Sequence, residues 1–516
     1  MHEEAYPAPG SRAELERFAL LQGRLSDLFR RVFPDPKAPR CVLVNPSLSM
    51  DPEVLVSIAG LPHYEERLLC MLLLLRLPRT RVVYVTSTPI DPAIVDYYLH
   101  LLPGIPGAHA RRRLTMLSCQ DPSTRLTLTQ KLLARPRMLQ RLREAIGDPA
   151  IAHMTCFNAT EAERSLAVRL GIPIFANDPA LEHLGSKSGS RRIFKEAGVL
   201  LPEGFEDLRD MQDVAQSLAT LKAREPDLRR ATVKLDFGTS GEGNAVFDFA
   251  GAPDGGGLER WVREVQPKRL CFEDRSMGYE RYAEKFAQMH GIVEVWIEGA
   301  VKRSPSAQCR ITPLGEVEMI STHDQVLGGP SGQIFLGCTF PADAAYRLQI
   351  QSAGLEVAKV LREQGALGRF AVDFVSVRCD GEGDGENWRH YAIEVNLRKG
   401  GTTHTFRILQ FLTDGAYDPD TGRFMTPTGA VRVYKASDNL RSEHYMRLTP
   451  DDLMDIAVEH GLHFNASTQE GVFFHLIGAL SGFGKLGIVC VSDTPEHASA
   501  LFDRTVSILD EESSHA

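Results

Sequence analysis

Between residues 13 and 33, Leu15, Phe18, Leu21, Leu25, Leu28 and Phe29 recur at every third or fourth position, the spacing of an amphipathic helix. The apolar run Cys41-Val42-Leu43-Val44 then predicts a buried strand ending in Asn45-Pro46-Ser47. A helix is expected over about 64–77, followed by a second strand, Val82-Val83-Tyr84-Val85, and the polar segment Thr86-Ser87-Thr88-Pro89. Strand, polar loop, helix and strand in that order describe a βαβ unit with a parallel sheet. Further strands are expected at 114–118, 153–157 and 173–175, with helices between them. Ligands of such sheets sit at the carboxyl ends of strands, so the loops 45–49 and 86–91 are binding candidates. No G-x-G-x-x-G follows either strand, and a dinucleotide is not inferred.

The pattern changes near Asn177. Ser186-Lys187-Ser188-Gly189-Ser190-Arg191-Arg192 opens a helix that stops at Gly198, with Pro202 beyond it, in agreement with the usual cap residues. Lys187 is a candidate phosphate ligand because helix N-termini favour anions, although a lysine there is more often a solvated surface residue. Two strands then flank a loop rich in small residues, Gly238-Thr239-Ser240-Gly241-Glu242-Gly243. Such a hairpin can close over phosphates with its backbone N–H groups, and Lys234 on the entering strand can point at them. The loop lacks the G-K-[ST] ending of a P-loop, and a surface hairpin with an exposed lysine is the plainer alternative. Beyond the glycine-rich loop 251–257, strands are expected at 292–299, 307–311 and 317–321, then a glycine-rich loop at 327–332 and a helix over 346–364. Strands 370–377 and 390–397 follow, separated by an acidic turn. The last region alternates strand 431–434, helix 450–460 and strands 471–476 and 486–491, with 481–485 read as a hairpin loop.

Chemistry concentrates in residues 391–404, Tyr-Ala-Ile-Glu-Val-Asn-Leu-Arg-Lys-Gly-Gly-Thr-Thr-His. Strict alternation puts Ala392, Glu394 and Asn396 on one face and Ile393, Val395 and Leu397 on the other. A carboxylate beside a carboxamide offers the oxygen ligands that hard divalent cations take. Arg398 and Lys399 add positive charge next to them, and Gly400-Gly401 let backbone approach a ligand closely. Alone, the segment also reads as a strand whose polar face meets water.

The 516 residues allow two to four domains. A net charge of −9 argues against a nucleic-acid or anionic-membrane partner. Nine scattered cysteines without a C-x-x-C pair suggest neither zinc nor a disulfide framework, and so a reduced, intracellular protein. The longest apolar run, 68–77, is far short of the ~20 residues that span a bilayer. With no signal pattern at the acidic N-terminus, a soluble cytoplasmic protein is expected.

In chain order the parts are Lys187, Lys234 with its glycine-rich hairpin, Val293-Glu294-Val295-Trp296-Ile297-Glu298-Gly299, Val372-Asp373-Phe374 and Glu394-Val395-Asn396-Leu397-Arg398. That order resembles the ATP-grasp superfamily over about 185–406. Asn396 to His404, together with His63-Tyr64-Glu65-Glu66-Arg67-Leu68-Leu69 and Asp96-Tyr97-Tyr98-Leu99, is similar to the peptide ligase family of the pheganomycin pathway. The resemblance implies α/β and α+β architecture: a flexible N-terminus (1–12), a Rossmann-like parallel-sheet pre-ATP-grasp domain (13–180), an ATP-grasp core (181–426, with a lid at about 200–295) and a small α/β C-terminal domain (427–516). It implies that Lys187 and Lys234 contact the phosphates of ATP, with Gly238, Thr239, Ser240, Gly241 and Gly243 in the lid over them. The backbone of Val295, Trp296 and Ile297 would meet adenine, with Glu294 beginning that motif. Asp373, Glu394 and Asn396 would ligate Mg²⁺, usually two ions in the superfamily, with Mn²⁺ as a substitute. Arg398 would stabilise the acyl phosphate, Arg310 would supply a second arginine, and Lys399 and His404 would line the place of reaction. Where many members hold the ribose with an acid, Val301-Lys302-Arg303 stand here, and Ser186 replaces an aspartate common before the first lysine.

The implied reaction is peptide-bond formation between an amino acid and an amino acid or peptide. ATP converts a carboxylate, a poor electrophile, into an acyl phosphate that an amine attacks, with release of ADP and phosphate. The enzyme would work on small molecules, without nucleic acid or membrane, and the family suggests a homodimer. The alternatives are another ATP-grasp outcome, thioester formation or phosphotransfer, and a non-catalytic nucleotide-binding protein.

Overall fold

Parallel strands alternate with helices through the first third of the chain. The computed structural model describes residues 6–50, 55, 58–238, 243–253, 256–328, 332–379 and 387–515. Helix Arg12–Val32 is capped by Ser11, whose hydroxyl accepts from the Glu14 N–H. Four parallel strands follow in the spatial order Leu114–Ser118, Thr80–Thr86, Arg40–Asn45 and Ala152–Cys156. The expected strand at 173–175 contributes one bridge, Met154 to Ile174. The helix expected over 64–77 is present as a 3₁₀ helix, Leu61–Arg76. The loop expected at 86–91 turns inward: Glu65 accepts hydrogen bonds from both the N–H and the hydroxyl of Ser87.

A five-stranded antiparallel sheet forms the next unit, in the order Gly204–Leu208, Gly291–Val295, Arg230–Leu235, Asn244–Asp248 and Leu270–Phe272. Its apolar face packs under helices Met211–Arg224, Leu258–Arg269 and Tyr279–Met289 through Val214, Leu218, Val262, Phe286 and Val233, all buried.

The third sheet has nine strands, and Asn387–Asn396 pairs with Gly368–Cys379 at one side of it. The C-terminal strands belong to the same sheet. Val433–Arg441 pairs with Ile334–Phe340, and Lys485–Ser492 and Gly471–His475 continue from there. The boundary expected at 427 therefore runs through a continuous hydrogen-bonded layer. Residues 481–485, expected as a hairpin loop, lie largely in a short helix, Ala479–Phe483, which Gly484 closes at φ +57°.

Strict alternation does not hold along Asn387–Asn396. Asp373 pairs with Glu394 but Phe374 pairs with Ala392, so Ile393 is the extra residue of a β-bulge. The bulge turns Ala392 into the core with Val395, and puts Ile393 on a cavity wall with Glu394 and Asn396. Directly after this strand, Gly401–Thr413 is a helix.

The segments 63–69 and 96–99 seal the first unit to the C-terminal strands. The Phe474 N–H donates to Tyr97 Oη and the Gly478 N–H to Glu66 Oε2. Tyr98 meets Phe473 edge-on at 5.3 Å. One apolar cluster accordingly runs from Val42 and Leu72 through Phe406 to Ile488.

His404 and His475 meet in this junction with ring centroids 4.4 Å apart. Among the described residues, Nε2 of His404 and both ring nitrogens of His475 have no hydrogen-bond partner. Burial pushes His475 down to about 4 and His404 well below its ordinary value. A histidine kept neutral in the fold but free to protonate when unfolded gives stability that is complete above pH ~6.5 and is lost as the pH falls toward the folded value. Urea unfolding at pH 6 and pH 5 should therefore show a steep loss of stability. Replacing His475 by Leu should reduce that slope by about 1.4 kcal/mol per pH unit, and an unchanged slope would mean that the ring is already charged in the native protein.

Candidate active site

The bulged strand and its neighbours bring two carboxylates and a carboxamide to one point. Asp373 lies opposite Glu394, and Asn396 Nδ2 donates to Asp373 Oδ2 at 2.8 Å. Burial and the adjacent Glu394 push the Asp373 carboxyl up to about 6. Burial alone would raise Glu394 as well, but the Lys187 ammonium beside it holds that carboxyl below the usual range. Hard oxygen donors from three residues, clustered and partly desolvated, fit Mg²⁺ better than a softer metal.

Lys187 is the first residue of helix Lys187–Glu196, which Ser186 caps by accepting from the Gly189 N–H at 2.9 Å. The anion seat expected at this helix end is already filled, because the Ser188 N–H donates to Asp236 Oδ1 at 2.7 Å. What the helix offers the site is the Lys187 side chain, paired with Glu394.

Lys234 enters from the second sheet, 5% exposed, and pairs with Glu294. Glu294 also accepts from Arg191 Nη1 at 3.1 Å and is itself 2% exposed. Its side chain is thus the counter-ion of Lys234. The next residues are engaged elsewhere: the Val295 N–H donates to Glu203 O, the Trp296 N–H donates to Arg230 O, and Ile297 O accepts from Lys302 Nζ. The Trp296 ring lies against the Arg230 and Lys302 cations. Val295, Trp296 and Ile297 line neither of the two large cavities described next.

Two cavities, of about 640 and 600 Å³, share Glu394, Asn396 and Arg398 in their walls. The first lies toward the parallel sheet and includes Asn158, Leu235, Gly238 and Gly243. Of the expected lid, Gly238 and Gly243 line this cavity, whereas Thr239, Ser240 and Gly241 lie outside the described residues. The second cavity holds Lys187, Lys234 and Asp373, then extends past Gly400 and Thr402 to the C-terminal strands.

Arg398 stands at the meeting of the two, with its guanidinium 5.8 Å from the Phe157 ring and Nη1 donating to Lys399 O. Lys399 lines the first cavity, while its Nζ donates to Cys156 O in the parallel sheet and burial lowers it to about 8. His404 sits in the junction with His475 and lines neither cavity. Arg310 is also off both walls, paired with Glu318. Its cross-strand neighbour Arg369 reaches the first cavity instead. Ser306 and Gln308 on the Arg310 strand, and Arg67, Asp438 and Lys485 on distant segments, complete the second cavity. Two-residue spacing from Arg310 points to Ser306 and Gln308, whereas nothing local marks the last three.

Comparisons with known proteins bear on the family and the fold. Residues 179–253 and 259–420 match a family described as IQCH-like, ATP-grasp, and residues 452–505 match the PGM1 C-terminal domain. The L-propargylglycine–L-glutamate ligase of Streptantibioticus cattleyicolor is 31% identical over 484 residues, covering 92% of this chain and 95% of that protein. IQ motif-containing protein H of Danio rerio is 24% identical over 92% of this chain and 49% of its own length. Among solved structures, the ADP complex of N5-carboxyaminoimidazole ribonucleotide synthetase aligns with a TM-score of 0.52 at 13% identity, covering 92% of this chain and 98% of that one. Biotin carboxylase from Campylobacter jejuni aligns with a TM-score of 0.52 at 12% identity, covering 90% of each chain. These two likenesses speak to the fold. The identity to a ligase along nearly the whole length, together with the match to the ATP-grasp family, establishes that the chain belongs to the ATP-grasp ligase family.

Proposed function

We propose that this ATP-grasp ligase joins the carboxylate of one amino acid to the amine of another amino acid or a peptide, using ATP and Mg²⁺ through an acyl phosphate. The observation that carries the proposal is the convergence of Asp373, Glu394, Asn396, Lys187 and Arg398 in the second cavity, which shares Glu394, Asn396 and Arg398 with the first. The similarity to a ligase whose name gives two amino acids supports the substrate class.

Asp373, Glu394 and Asn396 would hold the metal, as two Mg²⁺ ions, with Mn²⁺ able to replace them. When bound, Mg²⁺ neutralises charge on phosphate oxygens. Lys187 and Lys234 bring positive charge to the same cavity, where they pair with Glu394 and Glu294. Arg398 offers a planar fork of N–H donors to the oxygens of an activated carboxylate. Gly238 and Gly243 bracket the loop that would exclude water, which otherwise hydrolyses an acyl phosphate. No side chain need act as nucleophile, because the amine attacks the activated carboxylate directly. Positioning and charge neutralisation are the work left to the protein.

Purified protein given pairs of amino acids, ATP and Mg²⁺ should release ADP together with a ligated product seen by mass spectrometry. ADP release that ignores every amine would reject the ligase reading for these substrates. Chelation should stop turnover and added Mg²⁺ restore it. Glu394→Gln should lower kcat about a thousandfold without a change in the circular dichroism spectrum. Arg398→Lys keeps the charge but loses the fork, and a fall of about a hundredfold in kcat is expected. Full activity in that variant would assign Arg398 a purely structural part.

A further inference from the structure

The second cavity is also walled by residues of the C-terminal strands, and the charge of that part is unbalanced among the described residues. Tyr64 and Arg67 come from helix Leu61–Arg76, Asp438 and Arg441 from strand Val433–Arg441, and Lys485 from the start of the strand beside it. Arg67 pairs with Asp438, and their side chains are 14% and 6% exposed. The Arg67 Nε is buried with no hydrogen-bond partner among the described residues. Lys485, 5% exposed, donates to the Tyr64 hydroxyl and lies 4.8 Å from the centre of that ring. That bond accounts for one of its three N–H groups. Arg441 is exposed at the cavity mouth, opposite Lys485 in the strand register. Nearby Glu66 adds nothing to the cavity wall, since its oxygens are engaged by His63 and the Gly478 N–H.

Among the described residues, three cations therefore face one carboxylate at this end, and a buried ammonium keeps unused donors. Such an end takes an anion, since desolvated positive charge is costly until it is paired. Asp438 among the cations disfavours a phosphate dianion but suits a zwitterion, whose carboxylate meets the cations while its ammonium meets the acid. The stacking of Arg67 over Tyr64, at 4.1 Å, fixes the guanidinium and with it the Asp438 carboxylate.

We propose that this end is the subsite that grips the free carboxylate of an amino-acid substrate, with Lys485 and Arg441 as its cations and Asp438 as acceptor for the substrate's N–H. The proposal rests on the ligase reading above and adds to it where one substrate is held and by which group. A carboxylate held here is not the one activated at Arg398. It belongs either to the acceptor amino acid or to a donor activated through a side-chain carboxylate.

The test begins with the wild-type enzyme and a substrate pair that yields product. Each amino acid is replaced in turn by its α-carboxamide. For one of them kcat/KM should fall at least about tenfold, and the one affected identifies acceptor or donor. In Lys485→Met with Arg441→Gln, the KM for that amino acid should rise about tenfold or more, the KM for ATP should stay within about twofold, and the preference for free acid over carboxamide should collapse. If both carboxamides serve as well as the acids, or if the variant keeps both amino-acid KM values, the subsite is refuted while the ligase reading stands. If the wild-type enzyme joins no amino acids, it is that reading which fails.

Discussion

Lys187 and Glu394 join a helix to the strand that carries Glu394 and Asn396 opposite Asp373, and the charge balance of the site depends on this pair. A carboxylate taken out of water becomes neutral unless a cation faces it, as the raised pKa of Asp373 illustrates beside a Glu394 that stays ionised. One turn after Lys187 on the same helix, Arg191 pairs with Glu294 in the lid sheet, and Glu294 in turn holds Lys234. Positions four apart share a helix face, so a single helix carries the two cations that tie core strand and lid strand together. Removing one partner of such a buried pair costs roughly 3–5 kcal/mol. Lys187 and Lys234 thus each face a carboxylate, Glu394 and Glu294, carried by another element.

The continuous nine-stranded sheet has a second consequence. Because Val433–Arg441 pairs with Ile334–Phe340, the C-terminal strands are aligned with the catalytic sheet by backbone hydrogen bonds as well as by side-chain packing. Tyr97 and Glu66 accept from backbone N–H groups of the C-terminal segment and lock the parallel-sheet unit to the same strands. A cavity walled by three segments so distant in sequence keeps its shape only if all three are fixed to one another. The apolar cluster from Val42 to Ile488 provides that fixity.

Much of this could be read from the sequence where the signal is local. Asp373, Glu394, Asn396 and Arg398 stand out because oxygen ligands and a cation recur within one strand and its neighbour, and Lys187 because a cap residue announces the helix start. What could not be read depends on register and docking between remote segments. The bulge at Ile393 shows only when Asp373 and Phe374 are matched to their partners, and it overturns the alternation that would have put Ala392 beside Glu394. Glu294 reads as part of a hinge until its diagonal neighbour Lys234 is seen across the strand pair. Arg310 is the arginine singled out on its strand in the sequence, yet it pairs with Glu318 off both cavity walls, and Arg369 across the strand pair reaches the first cavity. The helix Gly401–Thr413 was hidden by its glycines, yet a Cβ at Gly401 would stand 2.8 Å from the Phe335 ring, so close packing requires that residue.

The same packing sets up the binding of anions. The guanidinium groups of Arg398 and Arg67 lie 5.8 and 5.9 Å from one Phe157 ring. Burial first, and then the nearness of Arg67, lowers the Arg398 pKa from its ordinary value, although Glu394 and Asp373 oppose this. The ring offers both cations a face and keeps water from screening them from each other. Two cations held close in a poorly solvated place repel, and an anion arriving between the two cavities relieves that repulsion as it binds. The charges of both guanidinium groups are thus arranged in the unliganded protein, before any anion is present.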